Sequence, residues 1–199
     1  MMPAHTTVNW TDPAAARAAL GDSRRRSLGL LEDLSDAQLR VPLLSLINPP
    51  LWELGHVAWF QEKWILRHAL GRPAIRDDAD ALYDSSAVDH DTRWNLPLPT
   101  RAETFDYARK ALDRALDAAG RDEAAYFVWL AAMHEDMHGE AFTYTRQTMG
   151  WPARVEDCPP AVEPPPPGDV ALAGGEFGLG AERGQRFVFD NEKGEHRVR

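Results

Sequence analysis

One stretch constrains this chain more than any other: residues 125–144, AYFVWLAAMHEDMHGEAFTY. Its apolar residues recur at steps of three and four, the period of a helix with one side turned to a core. Within it His134 and His138 stand four apart, which puts both imidazoles on one face about a turn from each other. Phe127, Leu130, Ala131 and Ala141 recur beside them, so the histidine face is expected to be the buried face. Two neutral imidazoles in an apolar interior are either nitrogen ligands of a metal ion or core histidines bonded to carbonyls. This pair alone leaves both open.

A third histidine shifts the balance. Asn48-Pro49-Pro50 stops whatever precedes it and opens a second helix, expected from Leu51 to about Ala69. Trp52, His56, Trp59, Phe60 and Lys63 share one side of it. Imidazoles projecting from two helices into a bundle interior match the way such folds build metal sites. All-nitrogen ligation disfavours magnesium and calcium and suits zinc, iron, nickel or copper. Ligands on one side of the ion leave the opposite positions open to substrate, water or dioxygen. With no carboxylate required as a ligand, the ion would keep its dipositive charge and hold an anionic thiolate well.

The remaining segments supply the rest of a bundle. Thr11-Asp12-Pro13 is a cap followed by proline, and a leucine stripe runs from there to about Leu34, with Gly21 a candidate break. Ser35-Asp36-Ala37-Gln38 has the capping-box pattern. Residues 71–100 show no sustained period, and a connection of that length is more often functional than idle. A third helix is expected over Arg101 to Ala119, with Phe105, Ala108, Leu112, Ala115 and Leu116 along one side and Gly120 ending it. From Pro152 the composition changes to a polyproline tract, Cys158 to Gly168, followed by short strand-and-turn segments over 170–180 and 186–189. The organisation read from these signals is mainly α: a four-helix bundle carrying the metal site over 1–151, a proline-rich linker over 152–168, and the beginning of a second domain over 169–199.

Composition sets limits on partners. A net charge of −9 and a pI near 5.2 argue against nucleic acid or an anionic membrane. The basic run Arg24–Arg26 reads as a solvated helix face. A lone cysteine, Cys158, excludes an internal disulfide and suits a reducing compartment, so cytoplasm is the expected location.

Other motifs compete for attention. His134-Glu-Asp-Met-His138 also satisfies the zinc-protease pattern H-E-x-x-H, with Glu135 in the place of the general base. The downstream carboxylates Glu156 and Glu163 lie in or beside the proline tract, where no helix presents a third ligand, so Glu135 and Glu140 are read as supporting or packing groups. His68 at a helix end reads as a cap, and His5, His90 and His196 have weaker claims. Arg93, next to Trp94, either orients a substrate carboxylate through its planar fork or stacks on an indole as a loop staple.

INPPLWELGHVAWFQEKWILRH, DSSAVDHDTRWNLPLP, HEDMHGEAFTYTRQTMGWP and GGEFGLG…FVFDNEKGEHRVR occur in that order. Together they resemble the ergothioneine-biosynthesis sulfoxide synthases, including the relatives that make selenoneine and the ovothiol branch. The resemblance implies a DinB-like four-helix bundle joined to a mixed α/β, formylglycine-generating-enzyme-like domain. It implies a non-haem iron(II) enzyme that uses O₂ to join a thiol or selenol donor to the imidazole of hercynine. The family's iron ligands fall on His56, His134 and His138. In that family most of the hercynine pocket and a catalytic tyrosine come from segments beyond residue 199, so no catalytic residue is assigned and this chain is expected to hold the metal-binding part. The donor stays open among cysteine, γ-glutamylcysteine and a selenosugar. DinB-like bundles also resemble thiol S-transferases that use zinc or nickel without a redox step, and a non-catalytic metal-binding module is a third reading.

Overall fold

The computed structural model describes residues 9–154, 163–164, 166–182, 184 and 187–199. The chain divides into two compact units, Met1–Arg154 and Val155–Arg199.

The first unit is helical. The Asp12 carboxylate accepts from the Ala14 amide at 2.9 Å and Pro13 takes the first helical position, which starts α1 at Pro13–Gly29. The helix runs through Gly21, because the ~1 kcal/mol cost of a mid-helix glycine is small beside the burial of Leu20 and Arg24 on either side. It ends at Gly29 rather than near Leu34, and the Ser35–Gln38 capping box then supports one tight turn, Gln38–Arg40.

Helix α2, Pro50–Gln61, starts on its prolines and continues as a π-helical stretch, Glu62–Ala69. Nearly every α2 side chain is buried, which makes it the central helix of the bundle. Helix α4, Arg101–Ala118, opens with a complete Thr100–Glu103 capping box, and α5 covers Ala125–Thr148. α1 packs on α5, α5 on α2, α2 on α4 and α4 on α1, closing a four-helix ring. Leu31, Leu54, Val57, Ala58, Tyr107, Ala108, Ala111 and Phe142 belong to its core, where each fully buried large apolar side chain contributes about 1.5–3 kcal/mol.

Two expectations change here. Arg25 and Arg26 form the solvated face the sequence suggests, both paired with Asp22, but Arg24 is only 1% exposed. It stands four residues after Leu20 and so falls on the core side of α1. The connection over residues 71–100 is not plain loop either: it holds the short helix α3, Ala79–Tyr83, and a tight turn at His90–Trp94. Both are too short for a helical period to show in sequence.

In the second unit β1, Phe177–Leu179, pairs antiparallel with β2, His196–Val198, setting Phe177 opposite Val198 and Leu179 opposite His196. Over 187–189, the described part of the strand expected at 186–189, no strand forms. Phe187 and Phe189 instead make an edge-to-face ring pair at 5.2 Å, and Arg186 lies outside the described residues. So do Cys158, Glu156 and most of the proline tract. Among the described residues no helix is long and apolar enough to cross a membrane.

Candidate metal centre

The imidazoles of His56, His134 and His138 converge between α2 and α5. One nitrogen from each lies within 4.8 Å of the other two, the only such group found among the described residues. The rings of His56 and His134 stand 5.1 Å apart, and those of His56 and His138 4.9 Å.

Each ring is fixed by a different neighbour. His56 is sandwiched along α2 between Trp52 at 5.0 Å and Trp59 at 5.6 Å, and its Nδ1 lies 2.8 Å from the Tyr83 carbonyl. His138 places Nδ1 2.7 Å from Oε1 of Glu53, a residue that is itself only 1% exposed. A carbonyl and a carboxylate can only accept, so Nδ1–H donates in both rings and Nε2 carries the lone pair. His134 stacks on Phe60 at 3.7 Å, and its Nδ1 is buried with no hydrogen-bond partner among the described residues. An orphaned buried polar group costs about 1–3 kcal/mol, so fold stability does not explain a histidine there.

The donor set suits an ion. The Nε2 atoms of His134 and His138 are 3.2 Å apart. Two nitrogens each about 2.0–2.1 Å from a shared ion, at an angle of roughly 100°, have that separation. The protonation state agrees. Burial first, and then the neighbouring His138, push the His56 imidazole down to about 3. Burial and the other two histidines hold His134 well below its ordinary range. Both are neutral at physiological pH, the state metal ligation needs.

The histidine face of α5 is not the buried face anticipated from its period. The fully buried stripe is Val128, Ala131, Ala132, Glu135 and Phe142, and His134 and His138 sit at its edge, half-buried. Packing against α1 as well as α2 turns the helix so that the histidines fall beside the buried stripe rather than on it.

Glu135 faces the other way. Arg24 donates to it through Nε at 2.6 Å and a terminal nitrogen at 3.2 Å, and Gln61 donates at 2.7 Å. A carboxylate locked in a buried ion pair cannot activate water at the histidines, so the H-E-x-x-H pattern here is a coincidence of spacing.

Arg93 stacks on Trp52, not on its neighbour Trp94, with the guanidinium carbon 4.0 Å above the ring centre. It donates to Asn48 Oδ1 at 2.7 Å and to the Val88 carbonyl at 3.3 Å, while its Nε is buried with no hydrogen-bond partner among the described residues. It lines a cleft of about 520 Å³ together with Trp94, Leu51, Pro97 and Arg101, and none of the three histidines reaches that cleft. Trp94 instead ties the segment down by donating to the Val41 carbonyl at 2.7 Å. His90 bridges Asp91 and the Ile47 carbonyl, and exposed His68 packs edge-on against Trp64 and Phe127, neither in the cluster; His196 lies in β2 of the second unit. His5 is outside the described residues. Sequence reading missed Glu53, although a carboxylate inside the apolar run LWELGHVAW, three residues before His56, is itself a signal.

Fold and cluster define a class: a ring of four long helices with imidazoles converging on the seam of two of them, able to hold a metal ion. The chain belongs to the DinB superfamily, whose family model matches residues 19–142. It is similar to the hercynine oxygenase of Mycolicibacterium smegmatis, with 31% identity over 204 residues, 92% of this chain and 46% of that protein. It is also similar to the hercynine oxygenase of Mycolicibacterium thermoresistibile, 34% over 124 residues, 60% of this chain and 28% of that protein. The Mycobacterium tuberculosis hercynine oxygenase is 30% identical over 135 residues, 65% of this chain and 32% of its own length. The chain thus spans less than half the length of these relatives.

Proposed function

We propose that this chain carries the iron centre of an O₂-dependent enzyme that joins the sulfur or selenium of a small donor to the imidazole of hercynine. The observation that carries the reading is the convergence of His56, His134 and His138 between α2 and α5, with His56 and His134 held neutral by burial. The similarity to hercynine oxygenases supports hercynine as the acceptor. Iron(II) held by these imidazoles would supply the dioxygen and one-electron chemistry.

The protein's own residues do the rest. The Tyr83 carbonyl and the Glu53 carboxylate hold protons on the Nδ1 atoms of His56 and His138, which leaves each Nε2 free as a donor. Trp52, Trp59 and Phe60 wall two of the ligand rings and exclude water from that side. Arg93 is assigned to the anionic group of the donor, since it lines a cleft and its terminal nitrogens keep N–H groups beyond those given to Asn48 and Val88. We assign the bundle to residues 1–151, the linker to 152–168 and the opening of a formylglycine-generating-enzyme-like domain to 169–199.

The test is metal analysis of anaerobically purified protein, followed by O₂ electrode measurements as hercynine and a thiol or selenol are added. Bound iron and donor-dependent O₂ uptake are the expected results. Bound zinc with no O₂ uptake for any donor would replace this reading with a redox-free thiol transferase.

A further inference from the structure

We propose that Glu53 is the positioning residue of the metal centre: it fixes His138 through Nδ1 and offsets part of the charge of the ion. The inference rests on reading the three histidines as a metal site.

Glu53 is out of place by ordinary criteria. It lies in the first turn of a helix whose other residues there are proline, leucine and tryptophan, and it is 1% exposed. Taking a carboxylate out of water costs several kcal/mol unless it is well compensated. Its hydrogen-bond compensation is thin, because one oxygen meets His138 Nδ1 at 2.7 Å and the other, Oε2, is buried with no hydrogen-bond partner among the described residues; Arg93 acts on it only through space, without a hydrogen bond. The contrast with Glu135 is instructive. That carboxylate, equally buried, has a bidentate arginine and a glutamine. A hydrogen bond to a charged group contributes about 1.5–3 kcal/mol, less than full desolvation costs. The hydrogen bonds of the fold therefore do not by themselves account for Glu53, and Arg93 makes none with it.

A cation beyond the imidazole does account for it. A ligand histidine that donates its outer N–H to a carboxylate has its tautomer and ring plane fixed, and its inner nitrogen is made more basic. The three rings are graded in this respect. His138 faces a carboxylate, His56 a neutral carbonyl, and His134 no acceptor at all. Among the described residues Glu53 is the one anion in hydrogen-bond contact with any of the three. The centre then carries one formal charge fewer than a dipositive ion on neutral imidazoles alone. His138 becomes its strongest donor and His134 its weakest.

The experiment compares wild type, Glu53→Gln and Glu53→Asp in the full 199-residue chain. Affinity is read by anaerobic chelator competition with Fe(II) and Co(II), coordination by the visible spectrum of the Co(II) form, and folding by thermal melts of the metal-free proteins. Glutamine keeps the size and an acceptor oxygen but loses the charge. Glu53→Gln is expected to melt no lower than wild type, to bind metal about 10–100-fold more weakly, and to shift the Co(II) bands. Glu53→Asp, with charge kept and reach shortened, is expected to fall between the two. A Gln variant within twofold of wild type and with an unchanged Co(II) spectrum overturns the role of Glu53 while leaving the metal site standing. A wild-type chain that binds neither ion overturns the metal reading itself, and this inference with it.

Discussion

Gly55 lies directly against the ring of Tyr83: a Cβ built on the glycine would stand 2.2 Å from Tyr83 Cε1 and 2.3 Å from Cζ. The contact fixes where α3 meets α2, one residue before the candidate ligand His56. The same Tyr83 gives its carbonyl to His56 Nδ1, and the preceding Leu82 gives its carbonyl to Trp52 Nε1 at 2.7 Å. Tyr83 is fully buried and stacked on Tyr107, so it has nowhere to retreat.

Gly55→Ala should therefore force α3 away from α2. The expected cost is about 1–3 kcal/mol, typical of overpacking, together with weaker metal binding because His56 loses its carbonyl. Denaturant unfolding of the metal-free protein and a chelator titration read the two effects. Wild-type values in both would show that the contact is not structural.

Arg24 and Glu135 join α1 to α5 by a buried ion pair, and Arg24 also donates to the Ala108 carbonyl of α4 at 2.6 Å. Removing one partner leaves the other charge uncompensated, so Arg24→Ala should lower the unfolding free energy by about 3–5 kcal/mol. The double replacement Arg24→Met with Glu135→Leu should recover most of that loss. A loss under about 1 kcal/mol for Arg24→Ala, the range of a surface pair, would contradict the burial argument.

The histidines also predict an acid limit for the metal-free protein. In the fold, burial holds His56 down to about 3 and keeps His134 well below its ordinary range, while an unfolded imidazole titrates near 6.5. Between those values the unfolded chain binds more protons than the native one, so native stability is full above about 6.5 and falls as pH drops toward 3. Metal leaves over the same range, because protons compete for the ligand nitrogens. Thermal melts and metal retention followed from pH 7.5 downward should decline together below about 6.5. A flat profile to pH 4 would mean the imidazoles are not held neutral.

Arg93 gives a prediction with two separable parts. Loss of its stacking on Trp52 should cost about 0.5–2 kcal/mol of stability in Arg93→Ala. If its free N–H groups take the donor's anionic group, the apparent donor affinity should fall about tenfold or more, and Arg93→Lys should not restore it, since lysine lacks the planar fork. Unchanged donor affinity in Arg93→Ala would confine the residue to a structural role.

What could be read from sequence follows the range of the interactions involved. The starts of α1 and α2 are announced by Asp12-Pro13 and Pro49-Pro50, and the structure uses those signals. The three histidines are visible because each repeats a helical spacing on an apolar run. Arg24 is not, since its partner Glu135 lies 111 positions away and an arginine beside two others defaults to solvent. Glu53 is hidden likewise, because its partner His138 is 85 positions on and in another helix. The turn of α5 that sets its histidines at the edge of the buried stripe depends on packing against both α1 and α2, which no single-helix period encodes. Strand β2 is fixed by pairing with β1, while Phe187 and Phe189, with stronger strand character, pair with each other.

The central claim is that His56, His134 and His138 hold one ion together. It is tested most directly by anaerobic Fe(II) titration of the 199-residue protein and its three single alanine variants, with bound iron counted after gel filtration. The account predicts about one iron per wild-type chain, and a sharp loss in His56→Ala, His134→Ala and His138→Ala, with helical content unchanged. Full retention of iron by His134→Ala would contradict it.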